Sequence, residues 1–390
     1  MGRSEDQVYL MGTIEEPASA PGAFAEIHIK SSSLIALMWI KYKRNRLALI
    51  GLGVLVFLYA SVLLCEFFAP YTLYDKVKGL ENHPPTPLRF VDLDGRFHVR
   101  PFVYGYERTV DSATFKTDWQ PLRDERYPIS FFVRHGSRYR FLGILPIETN
   151  LRFFGVREGY IFLFGTDKWG RDMFSRVLYG GRVSMTIGWA GVLISMLLGV
   201  IIGIASGYFG GTVDFLIQRV IEVLIAVPSL PLWLMLSAAL PKEWTPFQVY
   251  FGIVVILSLI GWTGLARVVR GMVLAYRDTQ FVLAARNIGA SSWRILTIHL
   301  VSNIASYLIV RVTLAVPGMI IGETSLSFLG LGIRPPMTSW GSMLKEAQNV
   351  NYIVLNPWYL IPAIFVIVAV LAFNFVGDGL RDAADPFSRR

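Results

Sequence analysis

The chain has 390 residues, 53% hydrophobic and only 17% charged, with a mean hydropathy of +0.48, which excludes a soluble domain and indicates a polytopic membrane protein. Its net charge of +9 requires no nucleic-acid partner, because basic loops beside anionic lipid account for it. The single cysteine, Cys65, excludes an internal disulfide.

Residues 1–46 are polar near their start, with Pro17 and Pro21, and read as a cytoplasmic tail. They do not read as a signal peptide, since the first apolar run is too long and lacks a small-residue cleavage site. Lys41, Lys43, Arg44 and Arg46 precede that run and place the amino terminus inside. A crossing needs about 20 apolar residues. Six stretches meet that length: 47–69, 183–207, 216–240, 248–269, 304–328 and 357–379. Cys65 falls in the first and reads as a small buried hydrophobe. Pro228, Pro231 and Pro317 interrupt the third and fifth, which suits helices packed around a pathway.

Between the first two stretches, residues 70–165 change character, with Arg, Asp, Pro and aromatic residues prominent. The runs at 96–106 and 138–144 alternate with a period of two and are bounded by Asp-Gly and Pro, so they predict short strands. The segment reads as an external β-containing insertion, either contacting an outer partner or shielding the pathway mouth. The remainder, 166–390, reads as a core of five further spans. Counting from a cytoplasmic start, the loops at 208–215 and 270–303 lie inside and those at 241–247 and 329–356 outside, with the carboxyl end inside. Arg267, Arg270, Arg277, Arg286 and Arg294 then sit at the inner face, as do Arg381, Arg389 and Arg390. Arg171, Arg176 and Arg182 fall outside, bordering a loop longer than the charge rule governs.

Three ionisable residues are candidates for a pathway. Arg219 and Glu222 sit three apart near the start of the third span, and Glu323 lies within the fifth. Such groups cost roughly 2.5–3.5 kcal/mol at mid-membrane, so they face protein or water. They either line a polar path or hold helices together by pairing.

The most informative stretch is FVLAARNIGASSWRILTIHLVSN, residues 281–303. Arg286, Asn287, Arg294 and His299 keep it out of lipid. Ala284 and Ala285 favour a helix, Gly289 permits a sharp turn, and Ala290, Ser291 and Ser292 offer a cap for a second helix near Trp293. This predicts a knob for a groove on a soluble partner. Ala284, Ala285 and Gly289 are expected to set close approach, with Arg286, Asn287 and Ile288 on the exposed turn.

That spacing resembles the EAA loop of permease subunits of ABC transporters. The family Glu position is occupied by Leu283, the two Ala by Ala284 and Ala285, the Gly by Gly289, and the Leu-Pro pair by Val301 and Ser302. Further resemblances to the dipeptide/oligopeptide/nickel branch follow in family order. They are FGTDKWGRDMFSRVLYGGRVS (164–184), GYFGGTVD (207–214), SFLGLGIRPPMTSWGSML (327–344) and GDGLRDAADP (377–386). In the first, Asp167, Arg171 and Asp172 are suited to ion pairing, and Asp214 in the second is suited to capping a helix.

The resemblance implies an all-α, six-helix fold of the type I importer kind in a bacterial inner membrane. It implies a permease that forms half of a pathway with a second homologous permease. Two ATP-binding subunits would use ATP and Mg, and an extracytoplasmic binding protein would deliver substrate. Peptides come first as cargo, oligosaccharides second and nickel last. This chain itself has no GxxxxGK[ST] loop, no metal-ligand spacing among its His and Cys residues, and no Gly-x-Ser-x-Gly elbow. No enzymatic activity and no cofactor of its own are therefore expected. A secondary transporter is the alternative class, but internal inverted symmetry with midplane carboxylates is not visible.

Overall fold

The structure, a computed structural model, describes residues 34–110, 117–140 and 148–384. The tail before Leu34, the end of the run at 138–144, and Arg389 and Arg390 lie outside the described residues. Helices α1 (Leu34–Tyr42), α2 (Arg46–Leu63) and α3 (Cys65–Phe68) come first. Asn45 caps α2 by accepting from the Ala48 amide at 3.1 Å. Strands β1 (Arg89–Val91), β2 (Phe97–Val110), β3 (Thr117–Arg140) and β4 (Glu148–Val156) form one antiparallel sheet in the order β1-β2-β3-β4. Helices α4 (Met173–Phe209), α5 (Gly211–Ala226), α6 (Ser229–Ala238), α7 (Pro246–Tyr276), α8 (Gln280–Asn287) and α9 (Ser292–Arg294) follow. After these come α10 (Val301–Phe328), α11 (Trp340–Leu344), α12 (Val350–Leu355) and α13 (Ile361–Ala384).

Among the described residues, five helical segments are long and apolar enough to cross a membrane: α2, α4, α7, α10, and Pro357–Ala384, which includes α13. The third predicted stretch is not a straight helix. It is α5 and α6 meeting at 87°, a sixth crossing only if the bent pair counts as one. The break sits at Val227, whose extended backbone (φ −88°, ψ 126°) is what a residue before proline adopts. Pro228 and Pro231 then withhold two amide donors within four residues. Pro317 behaves otherwise: α10 runs through it unbroken, with Val316 and Ile320 packed where Gly188 of α4 leaves room.

The bundle is organised on α4, whose 37 residues extend about 55 Å. Along it, Gly191, Ser195, Gly199, Gly203 and Gly207 recur every four residues and form one smooth seam against α7. A Cβ at Gly203 would stand 2.6 Å from the Ala266 carbonyl oxygen and 2.9 Å from Val269 Cβ, so the glycine lets the two backbones come close. One end of α4 meets the sheet, where the Phe154 and Phe174 rings lie 5.8 Å apart. Its other end, at Ile204, packs with Val282 of α8. Sheet and α8 therefore occupy opposite ends of the molecule.

Val103, Ile129, Val156 and Ile161 form the sheet's small core. Arg152, buried on β4, donates to the Ala69 carbonyl at 2.5 Å and fastens the sheet to the segment after α3. Beside it His83 is buried against Tyr106, Trp119 and Phe162, with Nδ1 2.6 Å from the Pro84 carbonyl. Burial lowers its pKa to about 4, against a smaller opposing pull from that carbonyl. The unfolded chain therefore binds a proton that the fold refuses between pH 6.5 and about 4. This stability is complete above pH 6.5 and is lost as pH falls across that window, by up to about 3 kcal/mol. Thermal unfolding of the detergent-solubilised chain at stepped pH is expected to show the loss, and His83→Gln is expected to remove it.

Candidate docking knob and its support

The stretch from α8 to α10 folds as a knob with its own apolar base. On α8, Val282 and Ala285 are buried, and they join Ile295 and Leu300 against Val269 and Val273 of α7. Ala284, Arg286, Asn287 and Ile288 face outward. The two alanines therefore differ in role: Ala285 lets α8 settle on α7, and Ala284 is part of the surface.

α8 ends in a glycine turn. The Ala290 amide donates to the Ala285 carbonyl at 3.0 Å and the Gly289 amide to Arg286 at 2.9 Å, while Gly289 takes φ +81°. A Cβ at Gly289 would meet nothing within 4 Å, so within this chain the glycine is needed for its left-handed backbone, not for close approach. Ser291 caps α9 by accepting from the Arg294 amide at 3.3 Å. A π-helical turn at Ile295–Leu300 then leads into α10.

Polar contacts tie the knob to the turn between α4 and α5. The Arg286 guanidinium lies over the Tyr208 ring at 5.3 Å, and the Tyr208 hydroxyl donates to Ser292 Oγ at 3.1 Å. Arg277 donates to the Gly207 carbonyl at 3.2 Å. Asp214 does not cap α5, whose N-cap is Gly210 without a side-chain bond. It instead receives Arg270 Nε and Nη2 at 2.5 Å each, together with the Ser206 hydroxyl. A long helix pair separates Asp214 from Arg270 in sequence, so local spacing could not announce this pairing.

The knob's tip is apolar. Ile288 is 86% and Trp293 74% exposed, with Phe281 and Leu283 also open. Exposed apolar side chains of this kind on a charged loop make it a candidate interaction surface. Sequence spacing reads Trp293 only as a helix start; an indole on an otherwise polar loop is the signal that could have marked it.

The three pathway candidates are not brought together. Arg219 and Glu222 pair with each other at 2.7 Å on the open face of α5. Glu323 is fully buried within this chain, which favours the helix-holding alternative over the lining one. Its carboxylate accepts from Ser184 of α4 at 2.9 Å and from Ser327 at 2.6 Å. The Trp340 amide also donates to Ser184, at 3.1 Å, so this buried post joins α4, α10 and α11. Ser184 lies too far away in sequence for spacing to reveal the contact.

Residues 199–390 match the family described as the binding-protein-dependent transport system inner membrane component. Residues 33–85 match the N-terminal TM domain of oligopeptide transport permease C. The dipeptide transport system permease protein DppC of Lactococcus lactis subsp. cremoris is 41% identical over 233 residues, 60% of this chain and 66% of its own length. The oligopeptide transport system permease protein OppC of Bacillus subtilis is 41% identical over 228 residues, 58% of this chain and 72% of its own length. Among solved structures, the MetNI methionine ABC transporter in inward facing conformations shares 15% identity at a TM-score of 0.43. That likeness covers 54% of this chain and 97% of the other. The sequence relatives, the family match and the multi-pass helical architecture together show that this chain belongs to the binding-protein-dependent transport system inner membrane components, as a permease and not an enzyme.

Proposed function

We propose that the chain is one membrane half of an ATP-driven peptide importer of the type I kind, with six crossings when α5 and α6 count as one. Both termini and the knob lie on the cytoplasmic side, and the 70–165 insertion lies outside. Two ATP-binding subunits hydrolyse ATP with Mg beneath this chain and a second homologous permease, and an extracytoplasmic binding protein hands over the substrate. Peptide as cargo is supported by the names of the relatives, a dipeptide and an oligopeptide permease. The observation that carries the coupling role is the exposed Ile288 and Trp293 tip, at the end of α4 opposite the sheet.

Around that tip, Ala284, Arg286 and Asn287 complete the docking surface, while Ala285 and Gly289 shape it. Leu283, where the family has Glu, adds apolar area to this surface. Closure of the ATPase pair displaces the knob, and α4 and α7 carry the displacement toward the sheet side. ATP favours one state only through contacts that differ between the two. The open face of α5, with its Arg219–Glu222 pair, lines the pathway facing the second permease.

Gly289→Val tests the coupling. A β-branched residue in the left-handed region costs about 1–2 kcal/mol and distorts the turn. In proteoliposomes holding the whole transporter, uptake is expected to fall about tenfold while ATP hydrolysis and membrane insertion persist. Unchanged uptake would remove the knob from the mechanism.

A further inference from the structure

A second surface lies where the sheet meets the helices. Phe131 and Phe132 are adjacent on β3, and both are open, at 59% and 63% exposure. Successive residues on a strand normally point to opposite faces, so one of such a pair is usually covered. Phe132 has φ +55°, an outlier for a bulky residue, and it departs from regular strand geometry at this point. Its ring lies 6.2 Å from Phe67 and 5.8 Å from Phe153, and Phe131 lies 5.7 Å from Phe153.

Phe67 gives this cluster its direction. It lies on α3, directly after α2, whose open stripe of Val56, Ala60 and Leu63 faces away from the buried Leu55, Leu58 and Val62. The aromatic cluster therefore stands just past the end of a membrane-crossing helix whose open stripe is apolar. Arg134 and Arg157, both exposed, share a recess with Phe131 and Phe132. Exposed Phe rings beside guanidinium groups, at the end of an apolar helix face, suit the bilayer boundary, where rings enter the acyl edge and cations meet lipid phosphate.

We infer that Phe131 and Phe132, flanked by Arg134 and Arg157, form an interfacial anchor that seats the inserted sheet on an anionic lipid surface. This goes beyond the transport reading and stands whatever the cargo. The anchor fixes the height of the sheet above the pathway, and with it the platform that any delivering protein would meet.

The test uses the full chain in nanodiscs of phosphatidylethanolamine and phosphatidylglycerol. A nitroxide is placed at Phe132→Cys, and separately at Thr109→Cys near the far end of β2, both in a Cys65→Ser background. The label at 132 is expected to collide more with oxygen than with a water-soluble nickel chelate, and the label at 109 is expected to show the reverse order. Should the cysteine variants fail to fold, the unmodified chain is irradiated with a phospholipid carrying a diazirine near its headgroup. Adducts are then expected within residues 131–134. A label at 132 as nickel-accessible as that at 109, or no adduct in 131–134, overturns the anchor. So does shielding of 132 that appears only when the binding protein is added, which would make the cluster a protein contact.

Discussion

Asp167→Ala is expected to prevent the chain from accumulating in folded form. Asp167 is fully buried and all its bonding capacity is used. Its Oδ1 accepts the amides of Trp169 at 2.8 Å and Arg171 at 3.0 Å, and its Oδ2 accepts Arg171 Nε at 2.7 Å and Arg176 Nη1 at 2.5 Å. Arg176 stands in the first turn of α4 with its side chain 7% exposed. Removing the carboxylate strands that guanidinium and unties the turn that delivers the chain into α4. Losing one partner of a buried pair costs about 3–5 kcal/mol, against a total stability of about 5–15 kcal/mol. Membrane yield and the thermal midpoint in detergent measure the loss. Asp167→Asn keeps the shape and the amide acceptor, so it is expected to fall between alanine and the parent. A midpoint for the alanine variant equal to the parent's would show that the fold does not depend on the Asp167–Arg176 pair.

The Ile288→Asp, Trp293→Asp double variant is expected to leave the fold intact and dismantle the transporter. Both side chains project into solvent, where substitutions usually shift stability by no more than about 0.5 kcal/mol. As central apolar anchors in a partner's groove, each is worth about 2 kcal/mol of docking, or about thirtyfold in affinity. Copurification of the ATP-binding subunits with this chain reads the effect directly. Their recovery should collapse while the chain's own yield and melting stay unchanged. Full recovery would mean that docking uses another surface.

The two variants probe parts of the molecule that were unequally visible in the sequence. The spans were legible because a run of about 20 apolar residues suits little besides the interior of a bilayer. The knob was legible because its charges forbid lipid and its glycine is well placed. The proline-bearing stretches were not, because the consequence of a proline depends on its neighbours. Pro228 and Pro231 withhold donors close together and turn the chain through 87°, whereas Pro317 is buried in a helix supported by α4. Glu323, Asp214 and Arg176 show the same limit: each is defined by a partner on another element. The Asp167–Arg171 pair, four residues apart, and the Arg219–Glu222 pair, three apart, lay within reach of spacing.

The seam between α4 and α7 has a mechanical consequence. With Gly199, Gly203 and Gly207 set against the carbonyls of Trp262, Ala266 and Arg270, and Leu265, Val269 and Val273 lodged beside them, the two helices interlock along their length. Close-packed surfaces of this kind resist sliding, so the two helices are expected to move as one body.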